Sequence, residues 1–257
     1  MSRALVEEVI RIARAAGEEV LDVYAHGCAA DTKADGSPVT EADQRAQAII
    51  CARLSDIAPG VAIVAEESVN GSSSLKVGPG KLWLVDPLDG TKEFLDRNGE
   101  FTINIALIEA GAPVLGVVFA PALERLFAAA PGVGAAVEDA AGRRRLSARA
   151  TPPDGATIVS SRSHGDPDAL ARFTAGRRVA ASVTAGSSLK FCLIAAGEAD
   201  LYPRFGRTME WDTAAGDAVL RAAGGRVTDL RGHPLRYGKP GFENPHFVAS
   251  GRGDGIG

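Results

Sequence analysis

The sequence predicts an α/β (α+β) fold, with a mixed first half followed by a half in which strands and helices alternate. Three observations predict it. Leu5, Val6, Val9, Ala13, Ala16 and Val20 recur at spacings of three and four, as in an amphipathic helix. Short apolar runs end abruptly in acidic residues. Beyond residue 150, strand-like and helix-like segments take turns, as layered α/β proteins require.

The N-terminal helix stops near Gly27, and the polar stretch 31–43 leads to a second helix. Thr40 is placed to cap it, with Glu41 and Asp43 in the first turn, where the helix dipole favours negative charge. Ala46, Ile49, Ile50 and Leu54 form its apolar stripe. Apolar runs at 61–65 and 82–85 read as strands, separated by a Gly- and Ser-rich loop over 69–80 that could close as a lid. Residues 102–109 and 113–119 read as an antiparallel hairpin turning through Ala110-Gly111-Ala112, with 126–130 and 135–137 extending the same sheet. In the second half, 157–160 reads as a strand, 166–174 as a short helix and 187–196 as a helix ending at Gly197. Leu201-Tyr202 reads as a strand that ends in Pro203-Arg204, and 211–223 as a helix stopped by Gly224-Gly225. Thr151-Pro152-Pro153-Asp154-Gly155 marks a boundary between two units, 1–150 and 151–257.

Of 257 residues, 46% are hydrophobic and 23% charged, enough to bury a core without disulfides or structural metal. Lys plus Arg number 28 against 32 Asp plus Glu, a net charge of −4. That excludes a general binder of nucleic-acid backbones, which needs a basic face, but not a small anionic substrate. Cys28, Cys51 and Cys192 are scattered and form no CxxC pair, which points to a reducing, cytoplasmic setting. Glu7, Glu8, Glu18 and Glu19 break up the first apolar residues, so these do not read as a signal peptide. No run approaches the roughly 18 uncharged apolar residues of a membrane span, although peripheral association stays open.

The acidic strand ends are the informative feature. In Asp86-Pro87-Leu88-Asp89-Gly90-Thr91, Pro87 fixes φ and Gly90 permits a left-handed turn, so a bend could point both carboxylates one way. Two such oxygens suit a hard divalent cation, and the Gly90 and Thr91 amides could meet an anion; the same residues could equally form an ordinary turn with Asx capping. Glu66-Glu67 ends the preceding run, and is either a solvated loop start or a second acidic strand end needing positive charge nearby. Asp212, in Glu210-Trp211-Asp212-Thr213, could be a metal ligand or a plain dipole-stabilising acid in a first helical turn. Together Glu66, Asp86, Asp89 and Asp212 suggest one metal-binding site able to polarise a phosphate. No GxxxxGK[ST], GxSxG or HExxH pattern is present, and Asp86 and Asp89 are too far apart for the DxD of aspartyl-phosphate enzymes.

Four separated stretches then carry a resemblance across the chain: Thr40-Glu41-Ala42-Asp43, Ala65-Glu66-Glu67-Ser68, Asp86 to Thr91, and Trp211-Asp212-Thr213-Ala214-Ala215-Gly216. They resemble the inositol monophosphatase superfamily. The continuation Lys92-Glu93-Phe94, with Arg97-Asn98-Gly99-Glu100-Phe101-Thr102, Gly186-Ser187-Ser188-Leu189-Lys190 and Tyr202-Pro203-Arg204-Phe205-Gly206, is similar to its 3′(2′),5′-bisphosphate nucleotidase branch. The resemblance implies a layered α/β/α/β/α sandwich of the inositol monophosphatase and fructose-1,6-bisphosphatase type. It implies a Mg²⁺-dependent, lithium-sensitive hydrolase that converts adenosine 3′,5′-bisphosphate to AMP and phosphate, with the sulfated nucleotide as a further substrate, in sulfur assimilation or nucleotide recycling. An inositol- or sugar-phosphate phosphatase with the same metal site is the alternative.

By this resemblance Glu66, Asp86 and the Leu88 carbonyl hold one Mg²⁺, and Asp86, Asp89 and Asp212 a second. Glu66 helps hold a third through water. Thr91, hydrogen-bonded to Asp43, orients and deprotonates the attacking water, although Asp43 could equally be a dipole partner of its helix. The Gly90 and Thr91 amides hold the phosphate. Lys190, Arg204 and Ser187 are the candidates for the rest of the nucleotide, Lys190 having an alternative as a snorkelling helix residue. Ser161 and His164 are weaker candidates for that task, and Lys33 a candidate shield of the metals. Trp83 and Trp211, beside the acidic motifs, are expected to pack beneath the site.

Overall fold

The computed structural model describes residues 2–27, 29–32, 38–69, 80–163 and 165–253. Helix α1 (Arg3–His26) is capped by Ser2, and the strands β1 (Ala30–Thr32) and β2 (Pro38–Thr40) form a small antiparallel ribbon. Helix α2 (Glu41–Ile57) begins at a capping box: Thr40 caps the first turn and the Asp43 side chain reaches back to the Thr40 N–H. Then come β3 (Ala62–Ala65), β4 (Lys81–Asp89), the short α3 (Thr91–Leu95), β5 (Thr102–Glu109), β6 (Ala112–Ala120), β7 (Arg125–Ala130), β8 (Gly134–Asp139) and β9 (Gly142–Arg145). The second half holds β10 (Ala156–Ser161), α4 (Pro167–Thr174), β11 (Val179–Ala185), α5 (Leu189–Ala195), β12 (Leu201–Arg204), α6 (Glu210–Ala222), β13 (Arg226–Asp229) and β14 (Phe247–Ser250).

Strands β3 to β9 make a seven-stranded sheet in chain order, with β3–β4 parallel and every later pair antiparallel. Its outer strand, β9, is exposed along its length and reads Gly-Arg-Arg-Arg. The five-stranded sheet runs β11-β10-β12-β14-β13. Helices α1 and α2 cover one face of the larger sheet, where Val9, Ala16, Ala46 and Ile50 meet Trp83, Ile103 and Val117. On the other face α5 and α6 lie between the two sheets, and Phe191, Ala215 and Val219 share a core with Leu84, Val118, Tyr202 and Phe247. Leu170 and Phe173 of α4 pack outside the smaller sheet against Ile158, Leu201 and Val248. The layers are thus α/β/α/β/α, as the family resemblance implies.

Several elements differ from the sequence reading. The acidic turn is not a continuation beyond a strand: β4 runs through Asp86 to Asp89. Strand β12 passes through Pro203, which pairs with Val248. On the opposite side β10 meets β12 at one residue pair, Ile158 and Leu201, so Pro203 deprives no ladder of a donor there. Strands β11, β13 and β14 carry no alternation strong enough to be read. The hairpin is present as expected, but its turn is one residue shorter: Ala112 opens β6 opposite Glu109, and Ala110 (φ 52°) and Gly111 (φ 74°) both adopt positive φ, the demand of a tight two-residue connection.

Candidate active site

Three backbone features bring the acids together. The parallel register pairs Ala65 with Val85, so the next residues, Glu66 and Asp86, emerge side by side. In a regular strand, residues three apart face opposite sides. Here the ladder to β5 slips between Asp86, opposite Asn104, and Asp89, opposite Thr102: three steps on β4 answer two on β5. That bulge lets Asp86 and Asp89 line one cleft. The third feature is the first turn of α6, where Asp212 Oδ2 accepts the Met209 N–H at 2.7 Å.

The cleft has a volume of about 460 Å³. Carboxylate oxygens of Glu66, Asp86 and Asp212 lie within 4.8 Å of one another. Asp86 Oδ1 also accepts the Leu88 N–H at 3.0 Å, so the Asx turn is present together with the acidic cluster. Asp89 stands beside this triad, its Oδ2 3.2 Å from Asn104 Nδ2 and 3.0 Å from Ser188 Oγ. Burial raises the Asp89 carboxyl above its ordinary value against the pull of Lys190, and the Glu66 charge adds to the rise. Burial, then the Asp89 and Glu66 charges, push the Asp212 carboxyl well above the usual range. These oxygens have the chemistry of a hard-cation site: clustered carboxylates whose charges oppose one another until a cation offsets them.

Gly90 takes the left-handed conformation at the start of α3 (φ 91°), where glycine meets no steric penalty. Gly90 and Thr91 both line the cleft. The expected Thr91–Asp43 hydrogen bond is not made. Thr91 Oγ1 points to the Leu88 carbonyl at 3.4 Å, and Asp43 Oδ2 is engaged by the Thr40 N–H (2.7 Å) and hydroxyl (2.8 Å) of the capping box. Asp43 is buried at the first turn of α2.

Across the cleft, Lys190 does not snorkel. It is buried, its Nζ donates to the Ala185 carbonyl at 3.1 Å and to the Ser187 carbonyl, and it sits over the Tyr202 ring. Burial pushes its ammonium down to about 8, against the Asp89 charge. Arg204 is nearly buried and donates to the Arg207 carbonyl at 3.1 Å. Ser187 Oγ is buried with no hydrogen-bond partner among the described residues. Ser161, Ser187, Lys190 and Arg204 all line the cleft. Trp83 is buried in the core beneath α1 and α2 and does not line the cleft, whereas Trp211 reaches the cleft wall while packing on Phe242. Lys33, His164 and nearly all of the 69–80 loop, the lid candidate, lie outside the described residues.

Sequence reasoning missed Asn104 and Ser188, which bridge Asp89 to α6: Asn104 Nδ2 donates to Ser188 Oγ at 2.9 Å, and Ser188 Oγ lies 2.6 Å from the Asp212 carbonyl. Only the bulge and the meeting of two distant segments give them that place. Glu210, quoted only as part of a motif, is fully buried and accepts the Gly238 and Lys239 amides, tying the following loop to the start of α6.

This layered fold is shared with solved structures of a known protein family. The model of the inositol monophosphatase family matches residues 2–252, and the chain belongs to that family. Within it, the chain is 45% identical over 250 residues to the 3′(2′),5′-bisphosphate nucleotidase CysQ of Escherichia coli K12, covering 96% of this chain and 99% of the relative. The crystal structure of CysQ from Bacteroides thetaiotaomicron superposes with a TM-score of 0.84 at 37% identity, covering 98% of both chains. An inositol monophosphatase from Thermotoga maritima gives 0.79 at 27% identity, covering 96% of this chain and 92% of that one. Among the described residues no helix is long and apolar enough to cross a membrane.

Proposed function

We propose that this chain is a Mg²⁺-dependent 3′(2′),5′-bisphosphate nucleotidase that takes the 3′-phosphate from adenosine 3′,5′-bisphosphate, leaving AMP, and acts also on the sulfated nucleotide. The observation that carries the reading is the convergence of Glu66, Asp86 and Asp212 beside Asp89, in a cleft whose far wall holds Lys190 and Arg204. The identity to bisphosphate nucleotidases over nearly the whole chain supports the substrate class. The scattered cysteines support a reducing cytoplasmic setting.

Glu66, Asp86 and the Leu88 carbonyl would hold one Mg²⁺, Asp86, Asp89 and Asp212 another, and Glu66 a third through water. Bound there, the cations would offset charge on the phosphoryl oxygens and lower the pKa of the attacking water. The Gly90 and Thr91 amides take phosphoryl oxygens at the start of α3. Thr91 Oγ1 orients the water, and Glu66 stands ready to receive its proton. Asp43 supports Thr91 from behind, by fixing the β2–α2 corner against which α3 packs. Ser187, Lys190 and Arg204 receive the second phosphate, Arg204 through its fork.

The test is phosphate release from adenosine 3′,5′-bisphosphate, inositol 1-phosphate and fructose 1,6-bisphosphate across a Mg²⁺ titration, with and without Li⁺. The nucleotide is expected to lead in kcat/KM by about tenfold or more, the gain that two further charge-assisted contacts supply. Asp86→Asn should lower kcat on every ester by about a hundredfold or more. A preference for inositol 1-phosphate would replace this reading with the inositol-phosphatase alternative.

A further inference from the structure

The turn that carries Ser187 is held by a residue that does not touch the cleft. Glu100, just before β5, accepts the Gly186 N–H at 2.8 Å with Oε2. The same carboxylate receives the Arg162 fork, Nε to Oε2 and Nη2 to Oε1, each at 2.8 Å. Arg162 also donates from Nη2 to the Thr184 carbonyl and from its backbone N–H to the Ala185 carbonyl, both at 3.3 Å. One carboxylate from the larger sheet thus grips the ends of β10 and β11 in the smaller one.

The grip leaves no slack. A Cβ at Gly186 would lie 2.4 Å from the Glu100 carbonyl oxygen and 2.7 Å from Glu93 Cγ. Buried Glu93 holds the neighbouring turn through Ser163 Oγ at 2.6 Å. The next residue, Ser187, adopts φ 46°, a left-handed conformation that a serine keeps only when its surroundings enforce it. In that conformation its Oγ lines the cleft without a partner among the described residues, and its carbonyl receives Lys190 Nζ.

We propose that Glu100 is a positioning residue for recognition of the second phosphate, holding Gly186-Ser187 with Arg162 in the backbone conformation that aims Ser187 and Lys190 into the cleft. This rests on the reading of Ser187 and Lys190 as contacts to that phosphate. An amide in place of the carboxylate leaves one acceptor oxygen for three donors, so Gly186 N–H and the Arg162 fork cannot all be satisfied, and the turn relaxes from its left-handed state.

The test is steady-state kinetics of the Mg²⁺-loaded chain on adenosine 3′,5′-bisphosphate and on adenosine 3′-monophosphate, which lacks the second phosphate. Glu100→Gln is expected to raise KM for the bisphosphate about tenfold, as for a lost charge-assisted hydrogen bond, with kcat within about twofold. Kinetics on the monophosphate should stay at the wild-type level. Arg162→Lys, which keeps the charge and loses the fork, should fall in between. Equal losses on both substrates, or no loss on either, overturn the positioning role. If Glu100→Gln does not fold, Arg162→Lys carries the test with the same two readings. Wild-type preference for inositol 1-phosphate is seen before any variant is made, and it overturns the nucleotidase reading and this inference together.

Discussion

Asp212 is a charge that the protein folds against. Burial and the charges of Asp89 and Glu66 hold its carboxyl well above the ordinary range, so its ionised form lowers stability. Because the shift is upward, the penalty grows as pH rises through the folded-state pKa and fades below it. In chelator at pH 8, Asp212→Asn should therefore melt above wild type, because the amide oxygen still accepts the Met209 N–H while the repulsion is gone. That advantage should shrink as pH falls. Saturating Mg²⁺ should reverse the order, raising the wild-type Tm by several degrees and leaving the variant nearly unmoved, since a ligand that binds only the folded state stabilises it. Differential scanning calorimetry of both proteins, with chelator and with Mg²⁺, checks this. A wild type that melts above the variant in chelator would count against the repulsive cluster.

The elements show why some of this was legible in the sequence and some was not. Helices α1 and α2 follow from residue spacing because each buries one apolar stripe, and the β5–β6 hairpin, buried on both faces, follows from two apolar runs flanking a glycine turn. Glu66, Asp86 and Asp212 could be picked out because acids directly after apolar runs, or in a first helical turn, break the local pattern. Strand β11, Val-Ala-Ala-Ser-Val-Thr-Ala, is exposed over six of its seven residues and has no buried face to impose a period. Asn104 and Ser188 acquire a role only through the bulge in β4 and the approach of α5. Close approach of elements is equally hidden in composition. A Cβ at Gly116, on β6, would sit 2.4 Å from the Ala215 carbonyl oxygen and 2.6 Å from Ala218 Cβ, both on α6. Neither atom can swing aside. Gly116→Ala should therefore cost about 2–3 kcal/mol, read as a lower urea midpoint at unchanged m-value. A loss under about 0.5 kcal/mol would mean that α6 lifts freely from the sheet.

At the scale of the whole molecule, stability depends on what lies between the sheets. Asp217 of α6 is fully buried in that middle layer, paired with Arg221 Nε at 2.7 Å and receiving the Tyr237 hydroxyl at 2.8 Å. Burial nevertheless raises its carboxyl to about 6, Arg221 and Tyr237 offsetting only part of the desolvation. The folded chain thus binds this proton more tightly than the unfolded chain, where the pKa is about 4. The sign follows: the stabilisation is complete below about pH 4 and is lost as pH rises through 6, on the order of 3 kcal/mol in all. Asp217→Asn removes the titration. Urea midpoints of wild type and variant between pH 4 and 8 should show the variant gaining on wild type as pH rises, with most of the gain complete by pH 7. A gap that stays constant with pH would rule the titration out.

The larger sheet has one further property, set by its last strand. Arg143, Arg144 and Arg145 stand exposed on β9, the outermost of the seven strands. A second copy approaching rim to rim would bring its own guanidinium groups against these, at the spacing of paired strands. Arg143 is paired with Glu7 and Arg144 with Asp139, so it is chiefly Arg145 and the positive excess of the rim that disfavour pairing of this edge with its own kind, an effect that high salt would weaken by screening.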